Sequence, residues 1–258
     1  MTNPVSFLGY RALRFVEELG AMAAFTVETA RTIFMPPLRF EAFVRELYKL
    51  GVRSLFIICV CGLAVGMVLG LQGHHTLTRF GAQRSLGAVV GLSLIRELGP
   101  VLTALLVAGR AGSSTTAEIG TMVATEQLDG LRMLSIDPVS LIIKPKAVAM
   151  LFTTPLLTAL FIVCGLYGGY LVGVGQFGGD AGSYMSSLRS NVDFHNDIAC
   201  SIVKSAIFGL LLGLIATYRG YTSTPTAEGV STATTSTVVI SSVTVLLTDY
   251  LITAAWGI

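Results

Sequence analysis

Four ionisable residues, Arg96, Glu97, Lys204 and Asp249, stand inside stretches of chain that are otherwise apolar. A charged side chain deep in a bilayer costs about 2.5 to 3.5 kcal/mol on insertion scales, so each one needs a partner, a wet cavity or a task. Two of the charges are positive and two negative, and a set that sums to zero is what a paired network in low dielectric requires. Two roles fit: pairs that hold or couple helices, and a polar patch that meets a charged headgroup. The residue types leave both open. A headgroup site also needs apolar walls, which Leu71, Leu77, Phe80, Leu98 and Leu102 can supply, although each is equally suited to ordinary packing in a membrane.

Other chemistry is harder to find. The stretch GRAGSSTT, Gly109 to Thr116, has the glycines and hydroxyls of a phosphate cradle. A P-loop also needs a lysine to reach the terminal phosphates, and no lysine lies between Lys49 and Lys144. Small residues here serve better for close approach of helices, as do Gly62, Gly66 and Gly70, then Gly165, Gly169 and Gly173, and Gly209 with Gly213, each set spaced by four. His74 and His75 are adjacent and point about 100° apart on a helix, so they do not clasp one metal. They are expected to cap the outer end of a first span. His195, between Asp193 and Asp197, sits in a segment outside the spans and makes a poor metal site. The hydroxyls of Thr222 to Thr237 have no nearby histidine to activate them. The four cysteines, Cys59, Cys61, Cys164 and Cys200, are expected to be free thiols. No catalytic constellation and no metal site is expected.

The elements that must position these charges follow from composition. Hydrophobic residues make up 53% of the 258 and charged residues 12%, against roughly 25% charged in an average soluble domain. This is the composition of a polytopic membrane protein, and the net charge of +2 without a basic run excludes a nucleic-acid partner. A bilayer core of about 30 Å needs about 20 apolar helical residues. Five runs qualify: Ser54 to Leu71, Leu86 to Ala108, Ala147 to Val174, Ile198 to Tyr218 and Thr237 to Trp256. Arg96, Glu97 and Pro100 interrupt the second, and Pro155 can kink the third. Ahead of them, Leu8, Ala12, Phe15, Leu19 and Met22 recur at helical spacing, with Arg11, Arg14 and Glu18 on another face, predicting a helix that lies in the membrane surface. A short amphipathic elbow follows Pro36 and Pro37, with Phe40, Phe43, Val44 and Leu47 on its apolar side.

Positive charges orient the spans. With the N-terminus cytoplasmic, 12 of the 17 lysines and arginines face that side and 3 the other, while Arg96 and Lys204 lie within spans. Five spans then leave the C-terminus outside. Lys204 lies about 9 Å below the outer end of the fourth span at ~1.5 Å per residue. Arg96, Glu97 and Asp249 are expected at the same level.

That topology places EIGTMVATEQLDGLRMLSIDP, residues 118–138, between the second and third spans on the cytoplasmic side. Ala117 to Ser135 has helix-forming composition, and Asp137 with Pro138 supplies a stop. Met122, Leu128, Leu131 and Leu134 give the helix an apolar side that a solvated loop does not need, so a soluble partner is expected to dock there.

The stretch RELGPVLTALLVAGRAGSSTTAEIGTMVATEQLDGLRMLSIDP, Arg96 to Pro138, closely resembles the MlaE family of ABC transporter permeases, and the likeness runs along nearly the whole chain to Asp249. The resemblance implies an all-α polytopic fold. An interfacial helix and elbow, residues 1–50, lead into a transmembrane region, residues 51–258, in a single permease domain of the bacterial inner membrane. It implies that Glu126, Gln127, Asp129, Gly130, Leu131, Arg132 and Leu134 form the coupling helix gripped by an ATPase. It implies a homodimer, a cytoplasmic ATPase dimer that binds ATP and Mg, a STAS-domain protein held through that ATPase, and a periplasmic hexamer of MCE-domain subunits. The permease itself carries no cofactor and no ATPase chemistry. The expected task is moving phospholipid between inner and outer membranes, which maintains outer-membrane asymmetry. Two alternatives stand beside it: an ABC permease for another hydrophobic substrate, such as a sterol or an aromatic compound, and an ion-coupled transporter using Lys204 and Asp249 as a proton relay.

Overall fold

The computed structural model describes residues 13, 16–17, 20–29, 31, 40–193 and 196–256. Helices joined by short turns account for nearly all of them, with no strand among the described residues. In chain order they are α1 (residues 20–29), α2 (Phe40–Gly51), α3 (Leu55–Arg79), α4 (Gln83–Ala124), α5 (Gln127–Met133), α6 (Val139–Gln176), α7 (Ala181–Asn191), α8 (Asn196–Tyr221) and α9 (Ala227–Trp256). Five helices, the first running from α2 through α3 and the others being α4, α6, α8 and α9, are long and apolar enough to cross a membrane. The end of the bundle bearing α2, α5 and the α8–α9 turn is called proximal here, and the end bearing α7 distal.

All five expected spans are present, and every one is longer than its apolar run. Hydropathy marks the part of a helix in lipid, whereas the helix continues for as long as its backbone stays paired and its side chains find neighbours. Thus α3 continues eight residues past Leu71 to Arg79, so His74 and His75 lie within it and do not cap its end. His74 stacks on Phe177 at 4.0 Å between ring centroids. The largest extension is in α4, which absorbs GRAGSSTT and the first part of the 118–138 stretch. The single helix expected from Ala117 to Ser135 is broken at Glu126, whose positive φ of 57° ends α4 and turns the chain into α5.

The glycine seams hold the bundle. A Cβ on Gly62 would meet the Phe161 carbonyl at 2.7 Å, and one on Gly66 would overlap the Gly165 backbone, so α3 and α6 pack backbone to backbone. On the other flank of α6, a Cβ on Gly209 would meet the Met150 carbonyl at 2.6 Å, and one on Gly213 would sit 3.0 Å from Ala147. That makes α6 the hub, with α2 and α3 on one side and α8 on the other; α4 and α9 pack on α8. In GRAGSSTT the close contact is a hydroxyl: Thr116 Oγ1 lies 2.9 Å from both the Ala216 carbonyl and Thr237 Oγ1, tying α4 to α8 and α9.

Of the predicted surface helix, Leu8, Ala12, Phe15 and Leu19 lie outside the described residues, as does His195. Met22 is described, and with Phe25 it packs on Val139, Ile143, Tyr218 and Tyr221 at the proximal end. The elbow is α2. Its Phe43 meets Phe152 of α6 edge to face at 5.8 Å, while Phe40 stays exposed.

α7 went unread in the sequence, although Asp180 and Ser183 carry its N-terminal signature. The Asp180 carboxylate accepts the Ser183 backbone N–H at 2.6 Å. Tyr184 plugs the helix into the bundle, edge to face with Tyr170 at 5.7 Å. Burial pushes its hydroxyl up to about 12 from the ordinary 10.0, because the charged phenolate has lost its water.

Candidate functional site

The distal charges converge on Lys204. Its ammonium, on a residue 1% exposed, lies 3.0 Å from both Glu97 carboxylate oxygens, 2.8 Å from Thr253 Oγ1 and 3.1 Å from the Arg96 carbonyl. Asp249 Oδ1 is also 3.0 Å from Nζ. That oxygen lies outside hydrogen-bonding geometry and has no hydrogen-bond partner among the described residues, so its contact is Coulombic.

Pro100 explains the carbonyl. Having no N–H, it cannot bond the Arg96 carbonyl four residues earlier as a regular helix would. Upstream of it, α4 passes through a π-helical turn, Leu94–Leu98, closed by the Gly99 N–H on the Leu94 carbonyl. The Arg96 carbonyl, which Pro100 cannot bond, accepts from Lys204. What hydropathy registers as an interruption of the second span is therefore the feature that seats the lysine.

The four predicted residues are brought to one level, but they do not form a closed set. Arg96 turns away from Glu97 and Asp249, and its Nε donates to Asp197 Oδ1 at 2.8 Å. Asp197, fully buried in the first turn of α8, takes the Asp193 backbone N–H on its other oxygen at 2.8 Å. Asp197 and Thr253 were missed. A carboxylate in the first turn of a helix, where the dipole favours negative charge, was the available signal for Asp197; Thr253 had none. With Asp197 included, the cluster of Arg96, Glu97, Asp197, Lys204 and Asp249 carries three negative and two positive charges, a balance of −1 rather than zero.

The proposed apolar walls are more scattered. Leu71 and Phe80 are exposed, the latter 80%, whereas Leu77, Leu98 and Leu102 pack against the main core. They line neither a distal cavity of about 520 Å³ between α3, α6 and α7, nor an apolar groove of about 260 Å³ between α6 and α8.

At the proximal end the expected docking helix is exposed. α5 buries Leu128 and presents Met133 and Leu134, at 87% and 71% exposure, followed by Ile136. Asp129 and Arg132 pair along the helix at 2.9 Å. Gln127, Gly130 and Glu126 are exposed, and Leu131 is half-buried.

Beside it lies a second ionic cluster. Lys146, 3% exposed, lies 3.0 Å from Glu46 of α2 and 3.0 Å from Glu118 of α4, and Lys49 reaches the same Glu118 oxygen at 2.6 Å. Arg110 binds Ser54 Oγ at 2.8 Å and the Leu50 carbonyl at 3.2 Å. Glu118 was expected in the cytoplasmic loop; it lies instead inside the proximal end of α4.

A bundle of five membrane-spanning helices, with buried ion clusters near each end and a short exposed helix between its second and third spans, has the architecture of a transport permease. The chain belongs to the MlaE permease family: the family described as Permease MlaE matches residues 43–255. It is 46% identical over 256 residues to the intermembrane phospholipid transport system permease protein MlaE of Haemophilus influenzae, covering 98% of this chain and 97% of that one. A probable ABC transporter permease protein of Rickettsia bellii is 40% identical over 98% of this chain and 97% of its own. The chloroplastic protein TRIGALACTOSYLDIACYLGLYCEROL 1 of Arabidopsis thaliana is 35% identical over 82% of this chain and 60% of its own.

Proposed function

We propose that this chain is the permease subunit of an ATP-driven transporter that moves phospholipid between the inner and outer membranes of a Gram-negative cell, maintaining outer-membrane lipid asymmetry. The carrying observation is the near full-length similarity to a permease named for intermembrane phospholipid transport. Residues 1–258 act as one permease domain in the inner membrane, with the proximal end cytoplasmic and the C-terminus periplasmic, in keeping with the 12 to 3 charge bias. ATP and magnesium are bound by a separate ATPase dimer, which grips α5 through the exposed Met133 and Leu134 and the charges of Asp129 and Arg132. A STAS-domain protein joins through that ATPase, and a periplasmic MCE hexamer exchanges phospholipid with the permease. The exposed apolar face of α9, including Val243, Leu247 and Leu251, gives a second copy or lipid a surface to cover.

In this reading the distal cluster is the polar end of the lipid path. Lys204 meets a headgroup phosphate or holds α4, α8 and α9 in register, and movement driven from α5 alters that end. Leu71, Leu77, Phe80, Leu98 and Leu102 face acyl chains in the assembled dimer.

The test is purification of the complex from the membrane. A co-purifying ATPase and bound phospholipid are expected. A stable assembly without an ATPase would overturn the function, and a sterol or aromatic ligand would replace the substrate. Reporters fused after Ile258 and inserted near Thr224 should lie on opposite sides of the membrane, periplasmic and cytoplasmic respectively.

A further inference from the structure

α5 is not simply laid on the bundle. Arg132 Nη1 holds Asp129 within the helix, and its Nη2 donates to the hydroxyl of Tyr221, the last residue of α8. The guanidinium carbon is 5.7 Å from the Tyr221 ring centre, at the outer limit of a cation–π contact, so the hydroxyl is the nearer hold. Tyr221 is itself braced, with its ring 5.7 Å from Phe25 of α1, which lies 5.4 Å from Tyr218.

The helix that ends at Tyr221 also carries Lys204. Seventeen residues separate the two, about 25 Å at ~1.5 Å per residue. α8 is one uninterrupted α-helix over that distance, without proline and without a π-helical turn. α4 and α6 each contain two π-helical turns, and Pro155 lies within α6. Bulges and internal prolines are where helices bend, so of the three spans that approach α5 in the chain or in space, α8 is the stiff one. A push at its proximal tip arrives at Lys204 as a displacement, and the five oxygen atoms around that ammonium belong to α4 and α9, across the cluster.

We propose that Tyr221 is a positioning residue for transport. Its hydroxyl, taken by Arg132, converts displacement of α5 into axial movement of α8 and thereby shifts Lys204 against Glu97 and Asp249. This rests on the reading of α5 as the ATPase-docking helix.

The experiment uses the complete complex in liposomes of phosphatidylethanolamine and phosphatidylglycerol, with a fluorescent phosphatidylethanolamine as probe. ATPase retention, ATP hydrolysis and lipid moved per ATP are measured for Arg132→Ala, Tyr221→Phe and the double variant. Tyr221→Phe keeps the ring on Phe25 and removes only the hydroxyl. Tyr221→Phe should retain the ATPase and lower lipid moved per ATP about five- to tenfold; Arg132→Ala, whose side chain also belongs to the docking face, should lower it at least as much, and the double variant should be no worse than Arg132→Ala. Full coupling in Tyr221→Phe, multiplicative losses in the double variant, or release of the ATPase by Tyr221→Phe would each overturn the inference while leaving the docking reading in place. A wild-type complex that holds its ATPase elsewhere than α5, seen as unaltered retention after charge reversal at Asp129, would overturn both.

Discussion

The two ion clusters, each centred on a buried lysine and one near each end of the bundle, are built to opposite plans. The distal one puts a single ammonium, Lys204, among acceptors from α4 and α9, with Arg96 diverted to Asp197, and its balance is −1. The proximal one shares two carboxylates, Glu46 and Glu118, between Lys49 and Lys146, with Arg110 beside them on Ser54 and the Leu50 carbonyl. Glu118 has two lysines, so losing one leaves it paired. Lys204 has no substitute among the described residues of its cluster, because Arg96 is already committed. Redundancy suits a brace, and the proximal cluster straps α2 to α4 and α6. A single cation with surplus acceptors suits a part that must exchange partners, and that difference ranks the expected effects of substitution on the fold.

Lys204→Met should cost most. It strands Glu97 and Asp249 and removes the hydrogen bond to the Arg96 carbonyl, at about 3 to 5 kcal/mol where the site is dry and less where water enters. Melting of the purified protein in detergent measures it. Because Glu97 contacts the lysine through both oxygens, neutralising Asp249 alone will not restore stability. The triple variant Lys204→Met, Glu97→Gln, Asp249→Asn should. Lipid transport by that stable variant separates the two roles: recovery means the cluster only held helices, and continued failure means Lys204 meets the phosphate.

Lys146→Met should cost less, about 1 to 3 kcal/mol, since Lys49 still holds Glu118 and only Glu46 loses its partner. A loss equal to that of Lys204→Met would remove the distinction between brace and exchanger.

Tyr184 supplies the neutral reference, a buried group whose folded pKa is raised. Its contribution is complete below pH 10 and declines as pH rises from 10 towards about 12, because the unfolded chain ionises first. Tyr184→Phe should therefore flatten the alkaline limb of the stability curve between those values, and an unchanged limb would mean the hydroxyl is wetter than its packing implies.

The smallest effect on the fold belongs to Asp129→Lys, within about 0.5 kcal/mol, because its pair with Arg132 is exposed. Its effect on ATPase binding should be large. Intact binding and transport would move the docking surface elsewhere.

Much of this could be read from residue order. Hydropathy located five spans because a bilayer imposes one length and one solvent on every helix that crosses it. The four-residue glycine repeats marked the seams, since close packing in lipid requires small residues at the interface. The isolated charges Arg96, Glu97, Lys204 and Asp249 announced themselves by their cost, and they do gather at one level. Partnership was decided only in three dimensions. Asp197 looked like part of an outer loop and is the fully buried partner of Arg96. Lys146 and Glu118 looked like loop charges and are an ion pair between two spans, with the lysine buried. Local composition reports what a residue would cost alone, whereas the partner that offsets the cost lies about a hundred residues away for Arg96 and for Lys204. The extent of α4 and the break at Glu126 were likewise tertiary decisions. A helix continues past its apolar core while α8 and α9 remain beside it, and it stops where the backbone adopts a left-handed turn that neither hydropathy nor helix propensity records.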